Sequence, residues 1–212
     1  MTATGPLEDA VARISTHFAA KHEARETALA ACRRMIRSSA NSIRAAHRAD
    51  YPAARSLLAE VETAHREVLA ALAGHPDIFH AGFVHDAQKE YAEAAATIAL
   101  LSGQALPVPE DLDVEPPAYL NGIAEVVGEL RRAVLDRLRG GAHEECEALL
   151  QAMDDIYSAL ITIDFPDAMT GSLRRSTDQA RGILERTRGD LTMAIVMHEA
   201  TGRVRADLPP EA

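Results

Sequence analysis

At 212 residues, 47% of them hydrophobic, the chain can bury one substantial core. Aromatics at 4% and the absence of Trp favour helices packed through small and aliphatic side chains. A net charge of −10 excludes a surface that is basic throughout, as in most nucleic-acid binders.

Residues 6–49 contain no Pro or Gly after Pro6 and read as one long helix. Its expected apolar stripe is Leu29, Cys32, Ile36, Ala40, Ile43 and His47. His47 on that stripe reads as a core or interface histidine rather than a ligand. A second face carries Arg33, Arg37, Asn41, Arg44 and Arg48, with Arg34 beside it, and residues 27–49 include no acid. Two readings stay open for this face: pairing with carboxylates of neighbouring helices or subunits, or a track for phosphates. Lys21 and Lys89 are the only lysines, so nearly all positive charge is Arg, the planar phosphate binder.

Asp50-Tyr51-Pro52 breaks the first helix, and Pro is tolerated in the opening turn of the next. Residues 53–73 read as a second helix burying Leu57, Val61, Val68 and Leu72. Residues 74–77 form a turn in which Asp77 is the expected N-cap. A third helix is expected over 78–102, its stripe running Phe79, Phe83, Ala87, Tyr91, Ala94, Ile98 and Leu101. Residues 103–117, with four prolines, read as a loop with a short turn near 109–113; it could be a strap over a site or only a connection. The fourth helix, 118–139, has the stripe Leu120, Ile123, Val127, Leu130, Val134 and Leu138. Gly122 and Gly128 each cost it about 1 kcal/mol, a cost that suits a close approach of another backbone. Helices at 142–163 and 172–200 follow, separated by the break at Asp164-Phe165-Pro166-Asp167. The tail, 203–212, is expected to be poorly ordered. No strand pattern, repeat or phosphate loop competes, so the expectation is a single all-α domain over 1–202, a bundle of about six long antiparallel helices.

Cys32 and Cys146 form no CxxC pattern, and free thiols in a reducing cytoplasm are expected. No signal peptide opens the chain, and no apolar run approaches the ~18 residues of a membrane span. Nine histidines without HExxH spacing give no sign of a zinc site.

The carboxylates are more informative. Glu90 and Glu93 are three apart on one expected helix, and Glu125 and Glu129 are four apart on another. Both spacings share a helix face. Two such helices facing each other would present four carboxylates to one point, a hard-oxygen cage suited to Mg²⁺ or Mn²⁺. The alternative is a solvated face on which Lys89 pairs with Glu93 four residues on.

The blocks around these acids, Gln88-Lys89-Glu90-Tyr91-Ala92-Glu93-Ala94 and Tyr119-Leu120-Asn121-Gly122 through Gly128-Glu129-Leu130-Arg131-Arg132, resemble segments of the translin superfamily. So do Arg37 to Arg48, Phe165-Pro166-Asp167 and Leu173 to Leu191, in family order across most of the chain. The resemblance implies all-helical subunits that assemble into closed octameric shells. It also implies one of two activities. Translin-type members bind single-stranded RNA and DNA. The branch resembling translin-associated factor X uses an acidic cluster and Mg²⁺ to cut single-stranded RNA, and its four acidic positions correspond here to Glu90, Glu93, Glu125 and Glu129. Glu125 departs from the Asp of the eukaryotic catalytic subunit, a change that could move a ligand by about 1 Å. The expected function is therefore a Mg²⁺-dependent endoribonuclease on single-stranded RNA. Its four glutamates would hold the metal, and Arg33, Arg34, Arg37, Arg44 and Arg48 would draw in the phosphate backbone. A non-catalytic RNA- or DNA-binding shell and an all-α nucleoside triphosphate pyrophosphohydrolase are the alternatives.

Overall fold

A computed structural model describes residues 5–142 and 144–206. Among the described residues there are six long helices, three single-turn helices and no strand. α1 (Gly5–His47) ends where Ala49 takes a left-handed conformation, φ 58°. Asp50 then caps α2 (Tyr51–Leu72), its carboxylate accepting from the Ala53 amide at 3.2 Å, with Pro52 in the first turn.

The expected third helix is broken in two. α3 (Pro76–Phe79) is closed off when the His80 amide bonds back to the Ile78 and Pro76 carbonyls, and extended Ala81 then restarts the chain as α4 (Gly82–Leu101). Asp77 does not cap it. His75 precedes the helix without a side-chain cap, and Asp77 instead pairs with Lys21 of α1. The 103–117 connection contains α5 (Pro109–Leu112), where Asp111 accepts from the Val108 amide at 3.1 Å.

α6 (Pro116–Arg139) starts two residues earlier than expected, because consecutive prolines fit the first turn of a helix, where no amide donor is needed. α7 (Glu144–Leu160), α8 (Asp167–Thr170) and α9 (Leu173–Ala206) follow, with Gly171 at φ 61° turning the chain between the last two. α9 continues six residues past the expected end, so the tail expected to be poorly ordered from 203 is helical to Ala206; 207–212 lie outside the described residues.

α4 is the central element. Every residue from 91 to 99 on it is buried, and it packs against α1, α2 and α6. Ala87, Ala92, Ala94, Ala95, Ala96 and Ala99 let those neighbours come close on several sides at once. One core lies between α1, α2 and α4 around Met35, Val61, Val68 and Tyr91. The other lies between α6, α7 and α9 around Leu130, Met153, Leu184 and Leu191. The buried line of α1 runs through Ala28, Ala31, Cys32, Met35, Ser39, Ser42 and Ala46. Of the expected stripe, Cys32 and Ile43 are buried, Leu29, Ala40 and His47 are half-buried, and Ile36 is exposed. Most of the buried residues of α1 are small, with Met35 and Ile43 the large ones among them. Both cysteines are free and buried, and burial pushes the Cys32 thiol up to about 11. No described helix is long and apolar enough to cross a membrane.

Candidate metal centre and arginine face

α4 and α6 meet most closely at Gly122. A Cβ there would lie 2.6 Å from the Lys89 carbonyl oxygen, 3.0 Å from Ala92 Cβ and 3.1 Å from the Glu93 amide nitrogen. Only a residue without a side chain allows this approach. Gly128, by contrast, faces just Ile183, at 3.9 Å, so its backbone approaches nothing closely.

One turn beyond Gly122, Glu125 points back across the seam toward Glu90 and Glu93. Each of the three offers a carboxylate oxygen, and these oxygens lie within 4.8 Å of one another. Glu93 is the deepest of the three, 9% exposed. Its carboxylate has no hydrogen-bond or ion-pair partner among the described residues, whereas Glu90 and Glu125 both have Lys89 nearby. Burial, and then the negative charges of Glu125, Glu90 and Glu129, push Glu93 up to about 8. Glu90 is also raised, first by burial, with Lys89 opposing.

Lys89 does not join Glu93 on its own helix. Its Nζ crosses to Glu125 Oε1 at 2.6 Å and stands 3.8 Å from Glu90 Oε1. Within one helix a Lys placed N-terminal to Glu is the weaker order of an i,i+4 pair. Burial pulls the ammonium down, but the hydrogen bond and charge of Glu125, with Glu90 and Asp86, outweigh it and hold Lys89 above its ordinary range.

Glu129, the fourth acid of the expected set, lies outside this trio. Its Oε2 is 2.5 Å from His47 Nε2 at the end of α1 and 3.9 Å from Arg132. The His47 side chain is only 4% exposed, and its hydrogen bond holds the Glu129 carboxyl below the usual carboxylate range. Glu129 still lies close enough to add to the negative field at Glu93. The His47 and Lys89 contacts were not read from the sequence. A signal for Lys89 was present, since it is one of two lysines in an arginine-rich chain and sits inside the acidic block.

Arg33, Arg34, Arg37 and Arg44 are exposed on α1, and Arg48 is exposed in the turn that follows it. Arg34 forms an ion pair with Glu67 of α2, and Arg44 donates to Asn41 at 2.8 Å. Arg33, Arg37, Arg44 and Arg48 have no ion-pair partner among the described residues. Arg37 borders a groove of about 660 Å³ between α1 and α2, whose far wall carries Ser56, Glu60 and Thr63. α2 supplies a counter-charge to Arg34 and leaves the other four arginines without an ion pair among the described residues. Arg48 directly follows His47, so the row of guanidinium groups ends beside the residue that touches Glu129.

The three carboxylates fit a hard divalent ion better than they fit one another. Carboxylates whose oxygens lie within 4.8 Å of one another repel as they ionise, the single ammonium neutralises one of them, and Glu93 has no hydrogen-bond donor among the described residues. An oxygen-seeking cation that keeps several waters would satisfy this arrangement.

No family model matches the chain. An uncharacterized protein of Methanocaldococcus jannaschii, MJ0175, is 31% identical over 200 residues, covering 92% of this chain and 88% of that one. Among solved structures, AfC3PO is 34% identical with a TM-score of 0.80, covering 91% of this chain and 98% of its own. A complex of AfC3PO with duplex RNA superposes with a TM-score of 0.79 at the same identity. Apo-NeC3PO, 22% identical with a TM-score of 0.79 over 87% of this chain, shares the fold. With this all-helical architecture, and with AfC3PO matched along nearly the whole of both chains, the protein belongs to the translin superfamily.

Proposed function

We propose that the protein is a Mg²⁺-dependent endoribonuclease acting on single-stranded RNA. The observation that carries this reading is Glu93, a buried residue without a hydrogen-bond partner among the described residues, beside Glu90 on α4 and facing Glu125 across a helix seam that Gly122 holds closed. The RNA complex of AfC3PO supports RNA as the ligand class. Membership of the superfamily weighs against the pyrophosphohydrolase alternative.

Glu90, Glu93 and Glu125 would hold the ion, with Mn²⁺ able to replace Mg²⁺. When bound, the ion lowers the pKa of a water and neutralises charge developing on the phosphoryl oxygens. A carboxylate oxygen not committed to the ion accepts the proton of the attacking water. His47 fixes Glu129 at the edge of the cluster, where its charge adds to the attraction for a divalent cation. Arg33, Arg37, Arg44 and Arg48 attract the phosphate backbone and deliver it toward the end of α1. The chain has few aromatic side chains for base stacking, so sequence preference should be weak.

Assembly into a homo-octamer is part of the proposal. Leu7, Val11, Ile14 and Phe18 form an exposed apolar row on the first half of α1, and Met193 and Val196 are exposed near the end of α9. Such rows on the two longest helices support burial against further copies. The test of function is cleavage of a labelled single-stranded RNA with Mg²⁺, run beside EDTA and beside a panel of nucleoside triphosphates. Cleavage of RNA alone, abolished by EDTA, is expected. Binding without cleavage would leave a non-catalytic RNA-binding shell, and hydrolysis of a nucleotide instead would overturn the RNA reading.

A further inference from the structure

Lys89 sits where a cation is needed and is already bound there. Its ammonium lies 2.6 Å from one carboxylate of the trio and 3.8 Å from a second, and its side chain is 21% exposed. Its backbone is pinned at the tightest point of the α4–α6 seam, against Gly122. From that anchor the flexible stem reaches one turn along α6 to Glu125.

We propose that Lys89 is the internal counter-ion of the metal centre, and that a divalent cation binds by displacing its ammonium from Glu125. This inference rests on the proposed metal centre. It assigns Lys89 a positioning role: the residue acts through Glu125 and sets how readily that carboxylate is given up to the ion. Without the ion, the ammonium keeps Glu90 and Glu125 from repelling each other across the seam. With the ion bound, Glu125 exchanges one cationic partner for another, and the freed ammonium still carries a positive charge that opposes the ion. Glu93, which Lys89 does not bond, is the carboxylate available to the incoming ion first.

Two like charges a few ångströms apart in a half-solvated site repel enough to change affinity by roughly tenfold. Removing the charge should therefore tighten metal binding, whereas a residue that merely braces the helices would weaken it on removal. The experiment titrates Mn²⁺ into the full-length protein, followed by calorimetry and by loss of the free-ion EPR signal, for the wild type, Lys89→Met, Lys89→Gln and Lys89→Arg. Lys89→Met and Lys89→Gln should bind Mn²⁺ about tenfold more tightly, while Lys89→Arg stays near the wild type. Lys89→Gln retains a polar end of similar reach and serves if the Met variant folds poorly. Equal or weaker binding by the Met and Gln variants overturns the counter-ion role. Absence of Mn²⁺ binding in all four proteins overturns it together with the metal centre. A wild type that binds Mn²⁺ but does not cut RNA refutes the nuclease reading alone, and the isotherms still decide the role of Lys89.

Discussion

Replacing Gly122 by Ala tests whether the seam between α4 and α6 is what assembles the site. The added methyl carbon would sit 2.6 Å from the Lys89 carbonyl oxygen, about 0.7 Å inside the ~3.3 Å at which a carbon ordinarily meets such an oxygen. The opposing atoms include backbone on a helix that also packs against α1 and α2, so relief requires α4 and α6 to part. Overfilling of this kind costs about 1–3 kcal/mol, and the helix propensity gained by replacing Gly offsets about 1 kcal/mol of it. Gly128→Ala is the internal control. It gains the same propensity on the same helix, and its methyl meets only Ile183 at ordinary contact distance. The difference between the two variants isolates the close approach. Thermal melts in EDTA should place Gly122→Ala about 3–9 °C below Gly128→Ala, at roughly 3 °C per kcal/mol for a chain of this size. Glu125 is one turn along α6 from Gly122, so parting the helices also draws its carboxylate away from Glu90 and Glu93. Sites of this kind tolerate about 0.5 Å of displacement, so Mn²⁺ affinity should fall in Gly122→Ala and hold in Gly128→Ala. Equal melting temperatures, or undiminished Mn²⁺ binding by Gly122→Ala, would refute the reasoning.

In EDTA, Glu93→Gln should melt above the wild type at pH 9, with the gap closing toward pH 5. The Glu93 acid is raised by burial and by Glu125, Glu90 and Glu129, with only Lys89 opposing, so its contribution to stability is complete below its ordinary value of 4.5 and is lost as pH rises through about 8; a gap that does not vary with pH would count against this. Arg37, Arg44 and Arg48 replaced together by Ala should weaken RNA binding about equally across sequences and flatten the salt dependence by roughly one unit per lost contact. Filter binding that is unchanged at every salt concentration would reject the arginine track. Light scattering should give eight times the 22.8 kDa chain mass, and Val11→Glu with Phe18→Glu should lower it; a monomeric wild type at micromolar concentration would rule out the assembly.

The all-helical fold was legible because the long helices are bounded by Pro, Gly and Asp signals that act locally. Asp50 before Pro52 and Gly140 after α6 are examples. The closeness of Glu90 and Glu93 was legible for a similar reason, since i,i+3 spacing puts them on one face whatever α4 packs against, while the expected fourth acid, Glu129, lies outside the group. What escaped depends on other elements. On α1 the burial of Ala28, Ser39 and Ser42 and the exposure of Ile36 were not read from the apolar stripe, because α2 and α4 pack against small residues there. Gly122 and Gly128 look alike in sequence, and only the position of α4 distinguishes them. The pairing of Glu129 with His47 joins residues 82 apart, and no helical periodicity encodes it. Lys89 has acids within reach on two helices, and its preference for Glu125 is set by the closeness of the seam.

Single-turnover cleavage of a labelled single-stranded RNA by Glu93→Gln, at saturating Mg²⁺ and with RNA binding measured alongside, tests the metal-centre account most directly. Gln keeps the shape of the buried side chain and removes the charge that a divalent ion requires. The account predicts that assembly and RNA binding persist while cleavage falls at least a hundredfold, about the loss expected when one principal electrostatic contact to the reacting centre is removed. A Glu93→Gln protein that cuts RNA at the wild-type rate, or a wild type whose cleavage survives EDTA, would contradict it.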